Sequence, residues 1–140
     1  PLDLNLYQAV KGLSAAAQIT RPGGTIILAA QCCEGIGQKD FAALLQEATG
    51  PQEILERISS SNFYQPDQWT AQILARILTK VRVYLYSAAI AKCEILKCHL
   101  LPTDDIAATV AEIAGENPNQ LRIAALPQGP MVIPYLTKER

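Results

Sequence analysis

The chain has 140 residues, 49% of them hydrophobic and 18% charged, and its 12 basic and 13 acidic side chains give a net charge of −1. These values are typical of one globular domain with a sizeable core, and they exclude a disordered segment. The balanced charge without a Lys/Arg cluster argues against nucleic-acid binding, and the longest apolar run, residues 26–30, is too short to cross a bilayer.

The first predicted helix begins at Asn5, a good N-cap residue, and carries one apolar stripe. The members of this stripe are Leu6, Val10, Leu13 and Ala17. A Pro-Gly-Gly turn ends the helix, and the continuous apolar run over residues 25–30 predicts a strand of a parallel sheet. A glycine-containing loop follows, and further helices are predicted over residues 39–49, 52–59 and 68–80.

The second half of the chain alternates in the same way. Residues 81–86 predict a second strand, residues 88–96 are weakly helical, and Thr103-Asp104-Asp105 caps a helix that ends near Ala114. A third strand over 121–126, a turn over 127–130 and a short last strand over 131–134 complete the pattern. Alternating strands and helices predict an α/β fold, a three-layer α/β/α sandwich with a small, mostly parallel sheet, and one domain over residues 1–140.

The loop over residues 32–38 follows the first strand, where parallel sheets bind their ligands. Its Gly35-x-Gly37 is too short and too common to define a phosphate cradle, and Glu34 would repel a phosphate. Glycines that simply turn the chain into the next helix explain the loop more simply. A nucleotide-binding domain that uses this loop stays an alternative.

On the opening helix, Tyr7, Lys11 and Gln18 fall on one flank, and Gln8 lies next to them. Tyr7 and Lys11 are one turn apart and Gln8 and Lys11 are three residues apart, so the tips of Tyr7, Gln8 and Lys11 can converge. A phenol, an amide and an ammonium provide several hydrogen-bond donors, enough to hold a carboxylate and a hydroxyl. On pattern alone, a solvated lysine and a glutamine that only completes a capping box with Asn5 explain the cluster more simply.

The four cysteines are Cys32, Cys33, Cys93 and Cys98. Cys32 and Cys33 are adjacent, so a disulfide between them would be strained, and Cys93 and Cys98 do not have CxxC spacing. We expect reduced thiols, and the chain shows no secretory leader pattern, so we predict a cytoplasmic protein. His99 is the only histidine and is expected to be structural, since Cys98-His99 alone does not make a metal site.

Several stretches together carry a family resemblance: Pro1-x-Asp3, Leu6-Tyr7-Gln8-x-x-Lys11, Pro22-Gly23-Gly24-Thr25-Ile26, Glu34-Gly35-x-Gly37, and PDQWTAQILARIL at 66–78. They are similar to the C-terminal domain of the nickel-dependent lactate racemase family. The resemblance implies an enzyme that interconverts the stereoisomers of a 2-hydroxy acid by moving a hydride to and from a cofactor. That cofactor is a nickel pincer derived from nicotinic acid.

The resemblance also divides the work between two domains. A larger N-terminal domain of the same polypeptide would tether the cofactor through a lysine and supply the histidine bases and the histidine ligand of nickel. The present domain would close the cleft, with Tyr7, Gln8 and Lys11 at the substrate and Lys11 paired with its carboxylate. Trp69 would form an apolar wall, although its helical spacing with Ile73 also fits plain core packing.

By this pattern the chain holds no catalytic residue and no metal, because no lysine matches the tether and His99 lies outside the motifs. We therefore expect Pro1 to be a cut end, and the isolated chain to bind no nickel tightly and to racemise nothing. A non-catalytic small-molecule-binding module that keeps the fold and the anion clamp is the other alternative.

Overall fold

The computed structural model describes residues 2–115 and 121–136. Helices and strands alternate along this part of the chain, as the sequence predicts. The elements are α1 (Leu6–Ile19), β1 (Thr25–Ala29), α2 (Lys39–Gln46), α3 (Pro51–Ser59), α4 (Gln68–Leu78), β2 (Arg82–Tyr86), α5 (Lys92–Lys97), β3 (Leu101–Pro102) and α6 (Ile106–Ala114). A short 3₁₀ helix, Gly129–Met131, lies near the end of the described residues.

The three strands form one parallel sheet in the order β1-β2-β3. Thr25 pairs with Arg82 at one end of β1, and Tyr84 pairs with Leu101 where β3 joins the sheet. Parallel neighbours need crossover connections, which α2, α3 and α4 provide between β1 and β2, and α5 between β2 and β3. The α/β class and the small parallel sheet are thereby confirmed.

The core lies between one face of the sheet and the helices. Ile26, Val83 and Leu85 alternate with more exposed neighbours along their strands, and all three are buried. The predicted stripe of α1 is buried at Leu6, Val10 and Leu13, whereas Ala17 is only partly buried. Each fully buried leucine contributes on the order of 2 kcal/mol through the hydrophobic effect. The stripe thus fixes which flank of α1 stays available at the surface.

Two of the predicted strands are wrong. Residues 121–126 and 131–134 form no strand, and the third strand is instead Leu101–Pro102, which pairs with β2. Apolar β-prone segments become strands only where a neighbouring strand accepts their backbone hydrogen bonds. Here the C-terminal segment lies at the surface, with Ile123 and Ile133 mostly exposed. The turn predicted at 127–130 contains the start of the 3₁₀ helix.

Membrane spanning is not supported by the helices that the structure describes. Within residues 2–115 and 121–136, none combines the length and the apolar character needed to span a bilayer.

Gly37 has a specific role where the loop after β1 meets α1. Its φ is +103°, and a Cβ at this position would lie 3.0 Å from Asn5 Cγ and 3.0 Å from Tyr7 Cβ. We expect Gly37→Ala to destabilise the domain by about 1–3 kcal/mol, because the left-handed backbone and the close approach both oppose a side chain. Urea unfolding followed by circular dichroism measures this.

Gly50→Ala is the matched control for that change. Gly50 has an extended backbone with φ 177°, and nothing lies within 4 Å of a Cβ built there. Its replacement is expected to leave the unfolding midpoint nearly unchanged or to raise it slightly. Equal effects at the two glycines would contradict the role given to Gly37.

Candidate functional site

The start of α1 is held by its own cap and by the loop that follows β1. The backbone N–H of Gln8 donates to Asn5 Oδ1 at 3.0 Å, and the N–H groups of Leu6 and Tyr7 donate to the carbonyls of Gly35 and Ile36, each at 3.0 Å. These bonds satisfy donors that a helix start otherwise leaves unpaired. They also place the first turn of α1 beside the loop that leaves the carboxyl end of β1, where parallel sheets bind ligands.

Lys11 and Gln8 form a compact pair on the exposed flank of α1. Lys11 Nζ donates to Gln8 Oε1 at 2.7 Å, so the amide oxygen of Gln8 is engaged by the lysine. Two ammonium protons of Lys11 and the NH₂ group of Gln8 remain as donors. In the described part of the chain, no carboxylate is within ion-pair distance of Lys11. The pair therefore presents donors and a positive charge that suit a carboxylate ligand.

Tyr7 connects three helices next to this pair. Its hydroxyl donates a hydrogen bond of 2.9 Å to Oδ1 of Asp67, the residue that directly precedes α4. Its ring meets Phe41 of α2 edge-on at a centroid distance of 5.4 Å, and Trp69 of α4 in the same manner at 6.0 Å. Such edge-to-face contacts are favourable for aromatic rings. Tyr7 is thus held in one orientation at both its ring and its hydroxyl.

The surroundings of Tyr7 keep its phenol protonated. Burial is the main cause that raises the pKa of Tyr7, and the hydrogen bond to Asp67 and the charge of Asp67 raise it further. Thr70 and Trp69, as hydrogen-bonding neighbours of the Tyr7 hydroxyl, lower the pKa of Tyr7. The hydroxyl of Thr70 is buried and makes no hydrogen bond of standard geometry within the described residues. Tyr7 is therefore a neutral phenol whose proton is already shared with Asp67.

Trp69 lies at the surface and not in the core. Its side chain is 52% exposed, while Leu74 and Ala75 on the same helix are fully buried. Core packing, the alternative considered for this residue, does not describe it. The indole extends the apolar surface beside Tyr7, and its predicted contact with a substrate stays a prediction.

Two residues of this region were not singled out from the sequence. In the sequence, Asp67 is only the residue before the helix predicted over 68–80, and Phe41 is only one apolar residue of the helix predicted over 39–49. Their link to Tyr7 joins positions far apart in the chain, 60 residues in the case of Asp67, so no local spacing could reveal it. For Asp67, the one available signal was an acidic residue directly before the helix that carries Trp69.

The loop over residues 32–37 supports α1 and does not form a phosphate cradle in this structure. Gly35 and Gly37 both have positive φ, and the Gly35 and Ile36 carbonyl oxygens point to α1 and accept its N–H groups. Phosphate oxygens need donors, which a row of carbonyl oxygens does not provide. The geometry therefore favours the turn explanation over nucleotide binding.

The remaining chemistry-bearing side chains have structural surroundings. Cys32 and Cys98 are buried, and desolvation raises the pKa of their thiols to about 11 and about 12, which keeps them protonated and unreactive at neutral pH. Cys33 and Cys93 are exposed, and all four thiols are free. One ring nitrogen of His99, Nε2, lies 3.0 Å from the carbonyl oxygen of Leu45, a contact that fixes the imidazole against the end of α2.

Comparison with known proteins decides the family. Residues 1–134 match the family model of the lactate racemase C-terminal domain. The chain belongs to this family. The resemblance seen in the sequence is therefore confirmed, and it extends over both α1 and α4.

Two curated relatives of this lactate racemase C-terminal domain are lactate racemases. The protein from Thermoanaerobacterium thermosaccharolyticum is 35% identical over 137 residues, and that from Lactiplantibacillus plantarum is 33% identical over 135 residues. Each match covers 95% of this chain and 32% of the relative. The domain thus spans about a third of the length of the curated relatives.

A solved structure agrees with this assignment. The lactate racemase apoprotein from Thermoanaerobacterium thermosaccharolyticum superimposes with a TM-score of 0.75 at 35% identity. The match covers 84% of this chain and 29% of that one. The similarity of this domain to that structure supports the same α/β fold for both.

A structural metal site needs several His, Cys, Asp or Glu side chains in one place. Among residues 2–115 and 121–136, no group of three or more His, Cys, Asp or Glu side chains is close enough to bind a metal ion. The described residues therefore do not fit a nickel centre by themselves.

Proposed function

We propose that this chain is the substrate-clamping C-terminal domain of an enzyme that interconverts the stereoisomers of a 2-hydroxy acid. The observation that carries the proposal is the donor pair of Lys11 and Gln8 beside Tyr7 and Trp69, on a domain of the lactate racemase family. The N-terminal part of the same polypeptide would form the other wall of the cleft. The match of this chain to only 32% of its relatives supports such a partner.

Lys11 would anchor the substrate carboxylate. An ion pair at about 4 Å near a protein surface gains on the order of 4 kcal/mol of Coulomb energy before desolvation is subtracted. Gln8 would donate its NH₂ group to the second carboxylate oxygen, because its own carbonyl is already turned to Lys11. The pair therefore binds a planar anion with two directed donors and one positive charge.

The anchor matters because racemisation requires C2 of the substrate to be approached from both faces. Removal of the C2 hydrogen as a hydride, and of the hydroxyl hydrogen as a proton, converts the hydroxy acid into a keto acid. Return of the hydride to the opposite face of C2, together with a proton to the C2 oxygen, restores the hydroxy acid with the inverted configuration. Lys11 and Gln8 would hold the carboxylate through this change, and Trp69 would exclude water from the closed cleft. A nickel pincer derived from nicotinic acid, held by the N-terminal part, would accept and return the hydride when bound.

A labelled substrate tests this proposal in the full-length, cofactor-loaded protein. We expect one enantiomer of lactate or a larger 2-hydroxy acid, deuterated at C2, to be converted to the opposite enantiomer with the deuterium retained. Retention follows because a hydride moves between C2 and a cofactor without exchanging with water. Chiral chromatography with mass spectrometry measures both quantities.

Two results would contradict the proposal. Loss of the deuterium to water would show that the C2 hydrogen leaves as a proton and not as a hydride. Inversion of no acid in the panel would favour the non-catalytic binding module, in which Lys11 and Gln8 bind an anion without turnover.

A further inference from the structure

Positive charge gathers at the amino-terminal end of the parallel sheet, where α1 and α4 both end. Arg21 follows α1, Arg76 is in the last turn of α4, Lys80 precedes β2, and Arg82 is the first residue of β2. All four side chains are exposed. This end of the sheet is opposite to the carboxyl end, beside which the first turn of α1 lies.

Backbone hydrogen bonds bring these four cations onto one surface. The N–H of Gly23 donates to the carbonyl of Lys80 at 2.8 Å, and the N–H of Arg82 donates to the carbonyl of Gly24 at 3.0 Å. Gly23 has φ +76°, which suits glycine and lets the chain turn sharply after Arg21. The turn after α1 is therefore fastened to the segment that enters β2.

No acidic side chain offsets this charge. Residues 4–33 and 68–93 contain neither Asp nor Glu. Within the part of the chain that the structure describes, none of the four cations is within ion-pair distance of a carboxylate. Arg76 and Lys80 are four residues apart, a spacing at which like charges repel each other.

The two helix ends explain only part of this arrangement. Cations near a helix C-terminus are favourable, but each helix end contributes only about half a negative charge. Two such ends face four whole positive charges, so the field at this surface stays positive. A bound anion would relieve the repulsion between the cations.

A cleft between the ends of α1 and α4 gives an anion a place to bind. Its volume is about 120 Å³, which is room for several water molecules. Arg76 and Lys80 line it from the α4 side, and apolar side chains make up much of the rest of its wall, among them Ala17, Ile77 and Val81. A mostly apolar wall with a few charged groups is typical of sites for small molecules.

We propose that this cleft binds a small phosphomonoester. Its phosphate group would lie between Arg76 and Lys80, since a guanidinium can give two parallel hydrogen bonds to phosphate and an ammonium adds a point charge. Arg21 and Arg82 would add to the attraction, and the carbon part would lie against the apolar wall. The inference goes beyond the proposed function, because the cleft lies at the far ends of α1 and α4 and needs no 2-hydroxy acid.

The test is an NMR titration of the ¹⁵N-labelled 140-residue chain, which has a core of its own. Inorganic phosphate and propyl phosphate are compared at constant ionic strength, because salt screens exposed charges. We expect the amide resonances of residues 20–24 and 76–82 to move, and propyl phosphate to bind more tightly because its chain contacts the apolar wall. Arg76→Gln and Lys80→Gln should each weaken binding about tenfold.

Two control variants separate this site from other cations of the chain. Lys97→Gln removes an exposed lysine at the end of α5 and should leave the affinity for both phosphates unchanged. Lys11→Gln should also leave it unchanged, because Lys11 is in the first half of α1 and outside the lining of the cleft.

Stability without phosphate provides a second readout. Lys80→Gln removes the repulsion between Lys80 and Arg76, so we expect its urea midpoint to be unchanged or slightly higher. A lysine that served only to stabilise the end of α4 would behave differently. In that case the midpoint of Lys80→Gln would fall and its affinity for phosphate would stay the same, which would overturn the proposal.

Other results would overturn it as well. Neither phosphate might move the resonances of residues 20–24 and 76–82, or Arg76→Gln might bind both as tightly as the unaltered chain. Binding of heparin without binding of either phosphate would indicate an extended charged surface in place of a site for a small anion. None of these measurements involves turnover, so their outcome is independent of the proposed racemisation.

Discussion

Replacing Lys11 by alanine in the full-length protein is expected to lower kcat/KM for the 2-hydroxy acid about 100-fold, or roughly 2.7 kcal/mol. The physical reason is that the substrate carboxylate would enter a closed cleft without its cation. Since Lys11 is exposed and hydrogen-bonded only to Gln8 among the described residues, the free energy of unfolding should change by less than about 0.5 kcal/mol. Steady-state kinetics and urea unfolding measure the two quantities.

Two further variants separate charge from general surface effects at Lys11. Lys11→Arg keeps the charge and should recover part of the activity, though not all of it, because the guanidinium has a different shape. Lys97→Ala removes another exposed lysine, in the last turn of α5, and should leave kcat/KM unchanged. A Lys11→Ala enzyme with unaltered kcat/KM would remove this lysine from the site.

Replacing Phe41 by alanine is expected to have the largest effect on stability, a loss of about 3–5 kcal/mol. Phe41 is fully buried in α2, and its removal leaves a cavity against the ring of Tyr7. That loss is a large part of the total stability of a typical domain, about 5–15 kcal/mol. Urea unfolding followed by circular dichroism gives the value directly.

The second phenylalanine of the chain provides the matched control. Phe63 is only partly buried against the core, so Phe63→Ala should cost clearly less than Phe41→Ala. Phe41→Leu keeps most of the side-chain volume and should lower the free energy of unfolding by about 1.5 kcal/mol or less. It removes the edge-on contact between Phe41 and Tyr7, so we expect the fluorescence of Trp69, which packs on the same tyrosine, to change. Equal losses at the two phenylalanines would contradict the central place given to Phe41.

Short-range patterns predicted much of the fold. The period of α1, its cap at Asn5 and the apolar run of β1 all depend on residues within one or two turns, and the structure confirms the helix, its cap and the strand. Local patterns predict the ends of the helices less closely than their existence. α2 ends at Gln46 and not near residue 49, because helix ends depend on neighbouring segments as well as on local residues.

Short-range patterns do not predict which segments pair as strands. Leu101 and Pro102 form a strand because β2 lies beside them. A stretch of two residues is too short for its own sequence pattern to predict a strand. The segments over 121–126 and 131–134 have the apolar character of strands but find no strand partner among the described residues. A β-ladder is a contact between distant segments, so the sequence of one segment does not contain it.

The sequence by itself determined the family, the α/β class and the close spacing of Tyr7, Gln8 and Lys11, because motifs and helical periodicity are properties of neighbouring residues. Only the tertiary structure decided that Asp67 accepts a hydrogen bond from the Tyr7 hydroxyl, that Phe41 packs against the Tyr7 ring, and that Trp69 stays at the surface. These contacts form when helices from separate parts of the chain pack on one sheet. Their geometry depends on the packing of the whole core and is not encoded in any one stretch.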